Sequence, residues 1–337
     1  MRGSYSRFSD WHTEKLANSA LLTYISTMKV IIFKPLYMER LWGGRALEYI
    51  YGRSLPRPDV PFGEAWEIVD REDAQSVVSG GEFSGMTLHE LWRDRREEIF
   101  GDGLPLSDRF PLLIKILDSA DDLSIQVHPP AAIAGKLGGE PKTEMWFIAD
   151  AKPGAKLYVG LRKGATRESF ERAIAEGTVA EQVHVITPRN GDSIFIESGR
   201  LHAIGAGFLI HEIQQNSDTT YRVFDWNRTD FAGNPRQLHV EESLACIDFE
   251  DIEPGMDKPE CDTLAECPFF KTTLHDLAAG DIISNPHPDR FSLITVVDGC
   301  LESAHTTGRT VLLPSGADGL VATVATKVLQ ITIPTDG

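Results

Sequence analysis

The chain has 337 residues, 42% of them hydrophobic and 25% charged, with a formal net charge of −17. That balance describes a soluble globular protein with room for two domains and a sizeable core. So acidic a surface argues against a nucleic-acid backbone or an anionic membrane as partner, and no apolar run reaches the roughly 18 residues of a membrane span.

Residues 1–27 are polar and mixed, with one short apolar patch at Leu21–Ile25. They lack the basic start and long apolar run of a secretory signal. They read as a leader, tag or mis-called start outside the fold. Met28-Lys29-Val30-Ile31-Ile32-Phe33 then reads as a first strand. Thr87-Leu88-His89-Glu90 is a capping box, with Leu88, Leu91 and Trp92 on one apolar face and Gly101 as a stop. Short apolar runs follow at Leu112–Leu117, Leu123–Val127, Met145–Ala149, Leu157–Val159, Ser193–Ile196 and Phe208–Ile213, parted by Gly, Pro, Asp or Asn. Such runs, with turn signals between them, are strands of a sandwich or barrel. Thr166 caps a short helix carrying Phe170, Ala173 and Ile174 and ending at Gly177, and Val240, Leu244 and Ile247 suggest another. Gly191-Asp192 and Gly280-Asp281 are turns that launch strands.

The acidic, proline-bearing stretch 250–268 marks a domain boundary, after which strand-like runs return at Phe291–Val297, Thr310–Leu313 and Val328–Ile333. The expected architecture is all-β dominated, with a catalytic domain over 28–255, a smaller C-terminal β-domain over 256–337, and a few short peripheral helices. No βαβ alternation and no Rossmann or P-loop glycine pattern is present. The cysteines, Cys246, Cys261, Cys267 and Cys300, form no CxxC. They read as free thiols in a reducing cytoplasm.

Four polar side chains stand out from their strands. Gln126 and His128 are two apart, so a strand puts both on one face, with Ile125 and Val127 on the other. Glu144 opens the next strand and His202 enters a later one. Two imidazoles, a carboxylate and an amide oxygen suit a borderline divalent cation such as zinc, with iron or manganese as alternatives. Each residue alone has a plainer reading as core or surface; the ordered set in an all-β chain carries the inference.

Several segments make the chain resemble the type I mannose-6-phosphate isomerases in their shorter bacterial form. Tyr37-Met38-Glu39-Arg40-Leu41-Trp42-Gly43-Gly44 is similar to the family's opening segment, and Gly63-Glu64-Ala65-Trp66-Glu67 to its GESWE segment, with Ala65 in place of Ser. Gln126-Val127-His128-Pro129, Lys142-Thr143-Glu144 and Leu201-His202-Ala203-Ile204 match its metal motifs in order. Ser217-Asp218-Thr219-Thr220-Tyr221-Arg222, followed by Asp225-Trp226, matches its catalytic-arginine segment. The resemblance implies two cupin jelly rolls, one zinc ion per chain held by Gln126, His128, Glu144 and His202, and interconversion of mannose 6-phosphate and fructose 6-phosphate. The chain departs in lacking an acidic residue just after His128-Pro129, and its C-terminal part matches loosely.

An aldose–ketose isomerase must stabilise an enediolate, and Arg222 is the candidate fixed charge for it, its alternative fate being a surface salt bridge with Asp225. Lys142 is expected to assist ring opening or contact the phosphate, with a pKa lowered by burial near a cation, and Asp218 to orient Arg222 or move a proton. Lys136, Arg162 and Lys163 are candidate phosphate contacts, and Trp42 and Trp66 candidate core residues. The expected partner is a small-molecule sugar phosphate. Alternatives are an iron-dependent cupin dioxygenase, which uses the same two-histidine, one-carboxylate kernel, and a non-catalytic sugar-phosphate-binding cupin.

Overall fold

The computed structural model describes residues 30–229, 232–259, 261–302 and 305–335. The leader expected over 1–27 lies outside these described residues. The described chain is 39% strand and 15% helix, and three antiparallel sheets stack in layers. The outer, five-stranded sheet has the order Val183–Ile186, Leu157–Leu161, His202–Ile204, Ile125–Val127, Tyr221–Phe224. The middle, six-stranded sheet runs Ser193–Ile196, Glu144–Ala151, Phe208–Gln215, Leu112–Ser119, Leu36–Gly44, Phe62–Ile68. The third, seven-stranded sheet runs Thr263–Glu266, Lys271–Leu277, Thr326–Thr332, Ser292–Asp298, Thr310–Leu313, Ile31–Lys34, Val77–Val78. Its last two strands come from the N-terminal part of the chain: Ile31 pairs with Leu312 and Ile32 with Val311.

The middle sheet is covered on both faces, which explains why Leu112–Ser119 and Phe62–Ile68 are buried at every position. A half-exposed strand would alternate; a strand in the middle layer has no solvent face. One face of the sheet sends Leu117, Trp146, Ile148 and Ile210 against Leu157, Val159 and Ile204 of the outer sheet. The opposite face sends Leu112, Ile114, Phe147 and Ile213 against Leu293, Leu312, Leu329 and Ile331 of the third sheet. Beside that second interface Trp92, Phe100, Phe110 and Phe291 pack edge to face, with Trp92–Phe100 centroids 4.9 Å apart, Trp92–Phe110 5.3 Å and Phe100–Phe291 5.1 Å. Each fully buried aromatic of this kind contributes roughly 1.5–3 kcal/mol.

The helices form where the caps place them. In Leu88–Asp94 the Thr87 hydroxyl accepts from Glu90 N at 3.1 Å while Thr87 N donates to Glu90 Oε2 at 2.8 Å. The chain then widens into a π turn at Arg96–Phe100 and stops at Gly101, whose φ of 83° needs a glycine. Helix Arg167–Glu176 is capped by Thr166 and ends at left-handed Gly177. It packs Phe170 with Cys246 and Ile247, from helix Val240–Cys246 and its end, on the outside of the five-stranded sheet. Where Leu36–Gly44 crosses Phe62–Ile68, side chains are kept out. A Cβ on Gly43 would run into the Gly63 backbone, and one on Gly63 into the Arg40 and Trp42 side chains.

Candidate metal centre and active-site cavity

The outer and middle sheets enclose a cavity of about 320 Å³. Strand register builds its walls as two facing rows. Across the outer sheet His202 pairs with Gln126 and Gln126 with Arg222. Across the middle sheet Trp146 pairs with Glu212, Glu212 with Lys115, and Lys115 with Trp66. Residues directly opposite in register share a face, so polar side chains from separate parts of the sequence converge on one space.

At one end His128, Glu144 and His202 gather, with one ligand atom of each within 4.8 Å of the others. Glu144 is fully buried and the two imidazoles nearly so. His128 Nε2 lies 3.6 Å from Glu144 Oε2, and His202 Nε2 3.7 Å from Glu144 Oε1. Both histidines are oriented from behind: His128 Nδ1 donates to the Thr219 carbonyl at 2.8 Å and His202 Nδ1 to the Arg200 carbonyl at 2.9 Å. Those bonds place the proton on Nδ1 and leave the Nε2 lone pairs aimed at the centre, as metal-binding histidines are held. Burial, reinforced by Lys142 and His202, pushes the His128 imidazole well below its ordinary range, and burial brings His202 down to about 4. Neutral imidazoles are the form that ligates. His128 Nε2 and Glu144 Oε1 are buried without a hydrogen-bond partner, which fits a cation that would satisfy both. Gln126 Nε2 donates to His202 Nε2 at 3.2 Å, so its amide borders the same centre.

The predicted catalytic residues join this cavity in different ways. Lys142 Nζ lies 2.9 Å from Glu144 Oε2 and 3.9 Å from Glu212 Oε1. Burial does oppose the ammonium, but the carboxylates of Glu144 and Glu212 outweigh it and hold the group above its ordinary value. Asp218 lines the cavity but, among the described residues, forms no ion pair with Arg222; it stands 4.0 Å from Lys115 instead. Arg222 escapes the salt bridge with Asp225 that is its alternative fate, because Asp225 is taken by Arg228 at 2.7 Å and Arg236 at 3.3 Å. Its Nε is buried and without a hydrogen-bond partner.

Lys136, Arg162 and Lys163 are exposed and do not line the cavity. Its cations are Arg40, Lys115, Lys142, Arg222 and Arg236. Lys115 and Glu212 were hidden in strands that read as apolar runs. They lie 3.3 Å apart with both side chains buried, and Trp146 Nε1 donates to the second Glu212 oxygen at 3.1 Å. A charge in the middle of a strand buried on both faces was the available signal. Glu64 was part of a quoted segment with no role given to it. Burial would raise its carboxyl, yet Lys115 and Arg40 hold it down at about 2, and it accepts two bonds from Arg40 at 3.1 Å. Trp42 serves the core as expected, and Trp42 also lines the cavity. The Trp66 ring lies 5.2 Å from Lys115 Nζ.

Antiparallel sheets packed face to face around a buried cluster of two histidines and one carboxylate are the arrangement of a cupin-type candidate metal site. Sequence comparison narrows the class. Residues 30–142 match the family described as "Phosphomannose isomerase type I, catalytic domain". The chain is 37% identical over 285 residues to mannose-6-phosphate isomerase ManA of Bacillus subtilis, covering 81% of this chain and 87% of that protein. It is 40% identical over 217 residues to the mannose-6-phosphate isomerase of Streptococcus mutans, covering 63% of this chain and 67% of that protein. The crystal structure of the Bacillus subtilis mannose 6-phosphate isomerase superposes with a TM-score of 0.81 at 30% identity, covering 91% of this chain and all of that one. The chain belongs to the type I phosphomannose isomerase family.

Proposed function

We propose that the protein interconverts mannose 6-phosphate and fructose 6-phosphate, with a zinc ion held by His128, Glu144 and His202 and by the Gln126 amide. The observation that carries the reading is the buried centre of two oriented imidazoles and a carboxylate, opening on a cavity lined with cations, in a chain of this family. Family membership favours the isomerase over the oxygenase alternative, whose metal kernel is the same. The donor set fits zinc, one ion to one centre. Gln126 completes it by presenting Oε1, since its amide fits the same space with oxygen and nitrogen exchanged. Bound there, the ion supplies a positive charge beside the sugar's carbonyl and neighbouring hydroxyl oxygens.

The chain's own residues do the remaining work. A carboxylate takes the proton from C2 of the open-chain aldose; the electron pair forms the C1–C2 double bond and negative charge passes to O1. Return of the proton to C1, with the O2 proton moved to O1, gives the ketose. Glu212 is suited to carry that proton: it is buried and lines the cavity, and its Oε1 lies 3.3 Å from the Lys115 ammonium and 3.9 Å from that of Lys142. Glu64 is unsuited, because its neighbours keep it ionised down to about pH 2. Lys142 and Lys115, pinned by carboxylates, orient the sugar oxygens, with Asp218 4.0 Å from Lys115. Arg222, which makes no ion pair among the described residues, offers a guanidinium that stabilises the enediolate. The reading includes a cytoplasmic location, supported by four unpaired cysteines; among the described residues no helix is long and apolar enough to cross a membrane. The test is a coupled assay of mannose 6-phosphate conversion before and after chelation. Turnover that falls with chelator and returns with zinc supports the reading. Metal-loaded protein that turns over neither sugar phosphate refutes it.

A further inference from the structure

The turn over residues 197–200 touches the metal centre twice. Gly199 N donates to the His128 carbonyl at 2.9 Å, and the Arg200 carbonyl accepts from His202 Nδ1 at 2.9 Å. A displacement of this turn therefore moves the backbone of one candidate ligand and the acceptor behind the other. Gly199 sits at a φ of 99°, and a Cβ there would come within 3.2 Å of the Cys246 carbonyl oxygen, so the turn is closely walled in.

What fixes the turn comes from the stretch that leads to the C-terminal sheet. The Arg200 guanidinium makes two bonds to Asp251, Nε to Oδ2 at 2.9 Å and Nη2 to Oδ1 at 3.0 Å, and Nη1 donates to the Phe195 carbonyl at 2.7 Å. Two parallel bonds to one carboxylate fix direction as well as distance. The two side chains are 21% and 13% exposed, which sets the pair apart from a freely solvated surface bridge. Asp251 is itself stitched down by the backbone around it. Its carbonyl accepts from Leu161 N at 2.8 Å, Glu253 N donates to the Leu161 carbonyl at 2.8 Å, and Asp248 N donates to the Gly199 carbonyl at 2.9 Å. Packing closes the seam, since a Cβ on Gly160 would run into Pro254. The connecting stretch is thus fastened to strand Leu157–Leu161 and carries the carboxylate that clasps Arg200.

We propose that Arg200 and Asp251 are positioning residues of the metal centre: their clasp holds the turn so that His128 and His202 stay in the ligating arrangement. The inference rests on the metal-centre reading above. Neither residue belongs to the ligand cluster or lines the cavity; they act through the peptide plane between Arg200 and Leu201. That plane is held on one side by the clasped Arg200 side chain and on the other by the Leu201 carbonyl, which accepts from Gly160 N at 2.8 Å. Imidazoles oriented in advance bind a cation without first giving up rotational freedom. With the clasp open, the carbonyl behind His202 shifts, and metal binding has to restore the arrangement at the expense of affinity.

The experiment measures zinc affinity of the full chain by competition with a chromogenic chelator, and thermal unfolding with and without zinc. It compares wild type, D251N, R200Q, the double variant R200Q/D251N, and E250Q. Each single variant at the clasp raises the zinc dissociation constant by about 10- to 100-fold, the range of outer-shell losses. The rise in melting temperature at a fixed zinc concentration shrinks in step. The double variant matches the singles, because both residues act through one clasp. It also leaves neither charge without its partner, so it decides the question if a single variant fails to fold. E250Q removes the same charge from an exposed side chain one position away and keeps the wild-type affinity. A zinc dissociation constant unchanged in the double variant overturns the inference and leaves the metal reading intact, whatever the melting temperatures do. Effects of the two single variants that multiply in the double, or an equal loss in E250Q, overturn it as well. A wild-type chain that binds no zinc refutes the metal-centre reading itself.

Discussion

Replacing Glu144 by glutamine changes the charge at the centre with almost no change of shape. Glu144 is fully buried, 2.9 Å from Lys142 Nζ and within 3.7 Å of both imidazole Nε2 atoms. Two consequences follow from that position. The cation loses its one anionic ligand, and an effect larger than the roughly 10- to 100-fold typical of an outer-shell change is expected on metal affinity. Lys142 is left with Glu212, 3.9 Å away, as its ion-pair partner among the described residues, in a site from which its side chain is 95% excluded from solvent. Breaking one side of a buried ion pair costs about 3–5 kcal/mol. At about 2–4 °C per kcal/mol, the melting temperature should fall on the order of 10 °C. The assay is elemental analysis after dialysis, paired with thermal unfolding with and without chelator. Wild type should melt lower with chelator, since a ligand bound only to the native state stabilises it; Glu144→Gln should melt low in both and hold no metal. Stoichiometric metal in the variant, or a wild-type transition indifferent to chelator, would refute the reasoning.

Arg222→Ala should reduce kcat by roughly 10²-fold or more while the metal content stays at wild-type level; near-normal turnover would make the arginine structural. Trp92→Ala removes the centre of the aromatic cluster and should cost about 3–5 kcal/mol in chemical unfolding without altering KM. His211, fully buried on the far face of the middle sheet, meets the Tyr51 hydroxyl at 3.0 Å, and burial with Arg53 nearby lowers its pKa to about 3. Its unfolded value is near 6.5, so between those limits the unfolded chain binds the extra proton. Its stability contribution is present above about pH 6.5 and is lost as pH falls toward 3. His211→Gln should flatten the stability profile in that window, and an unchanged slope would count against the assignment.

Much of the metal centre could be read in the sequence because strand geometry is simple. The two-residue spacing of Gln126 and His128 survives even though the strand ends at Val127, and Lys142 reaches Glu144 from just before the strand that Glu144 opens. The capping residues Thr87 and Thr166 located their helices because a cap is a local interaction. What was illegible depended on pairings between distant strands. Lys115 and Glu212 are neighbours only because Leu112–Ser119 lies beside Phe208–Gln215. Arg236 reaches the cavity through a loop held along a sheet edge, which no periodicity reports. The pairing of Ile31–Lys34 with Thr310–Leu313 was likewise beyond local patterning.

That last pairing bears on how the protein comes into being. Ile31–Lys34 leaves the ribosome early, and its partner Thr310–Leu313 follows roughly 280 residues later, which at about 5–20 residues per second is tens of seconds. Through that interval Ile31 and Phe33, buried in the finished protein, have no third sheet to cover them. The middle sheet can assemble within residues 36–215, but its face bearing Ile114, Phe147 and Ile213 stays bare until the C-terminal strands arrive. A nascent chain in this state offers one apolar sheet face and one strand with an unpaired edge to its neighbours. Chains cut short before Thr310 should therefore aggregate while their metal ligands are all present, and yield in expression should be limited by the last strands to be made rather than by the centre they help to support.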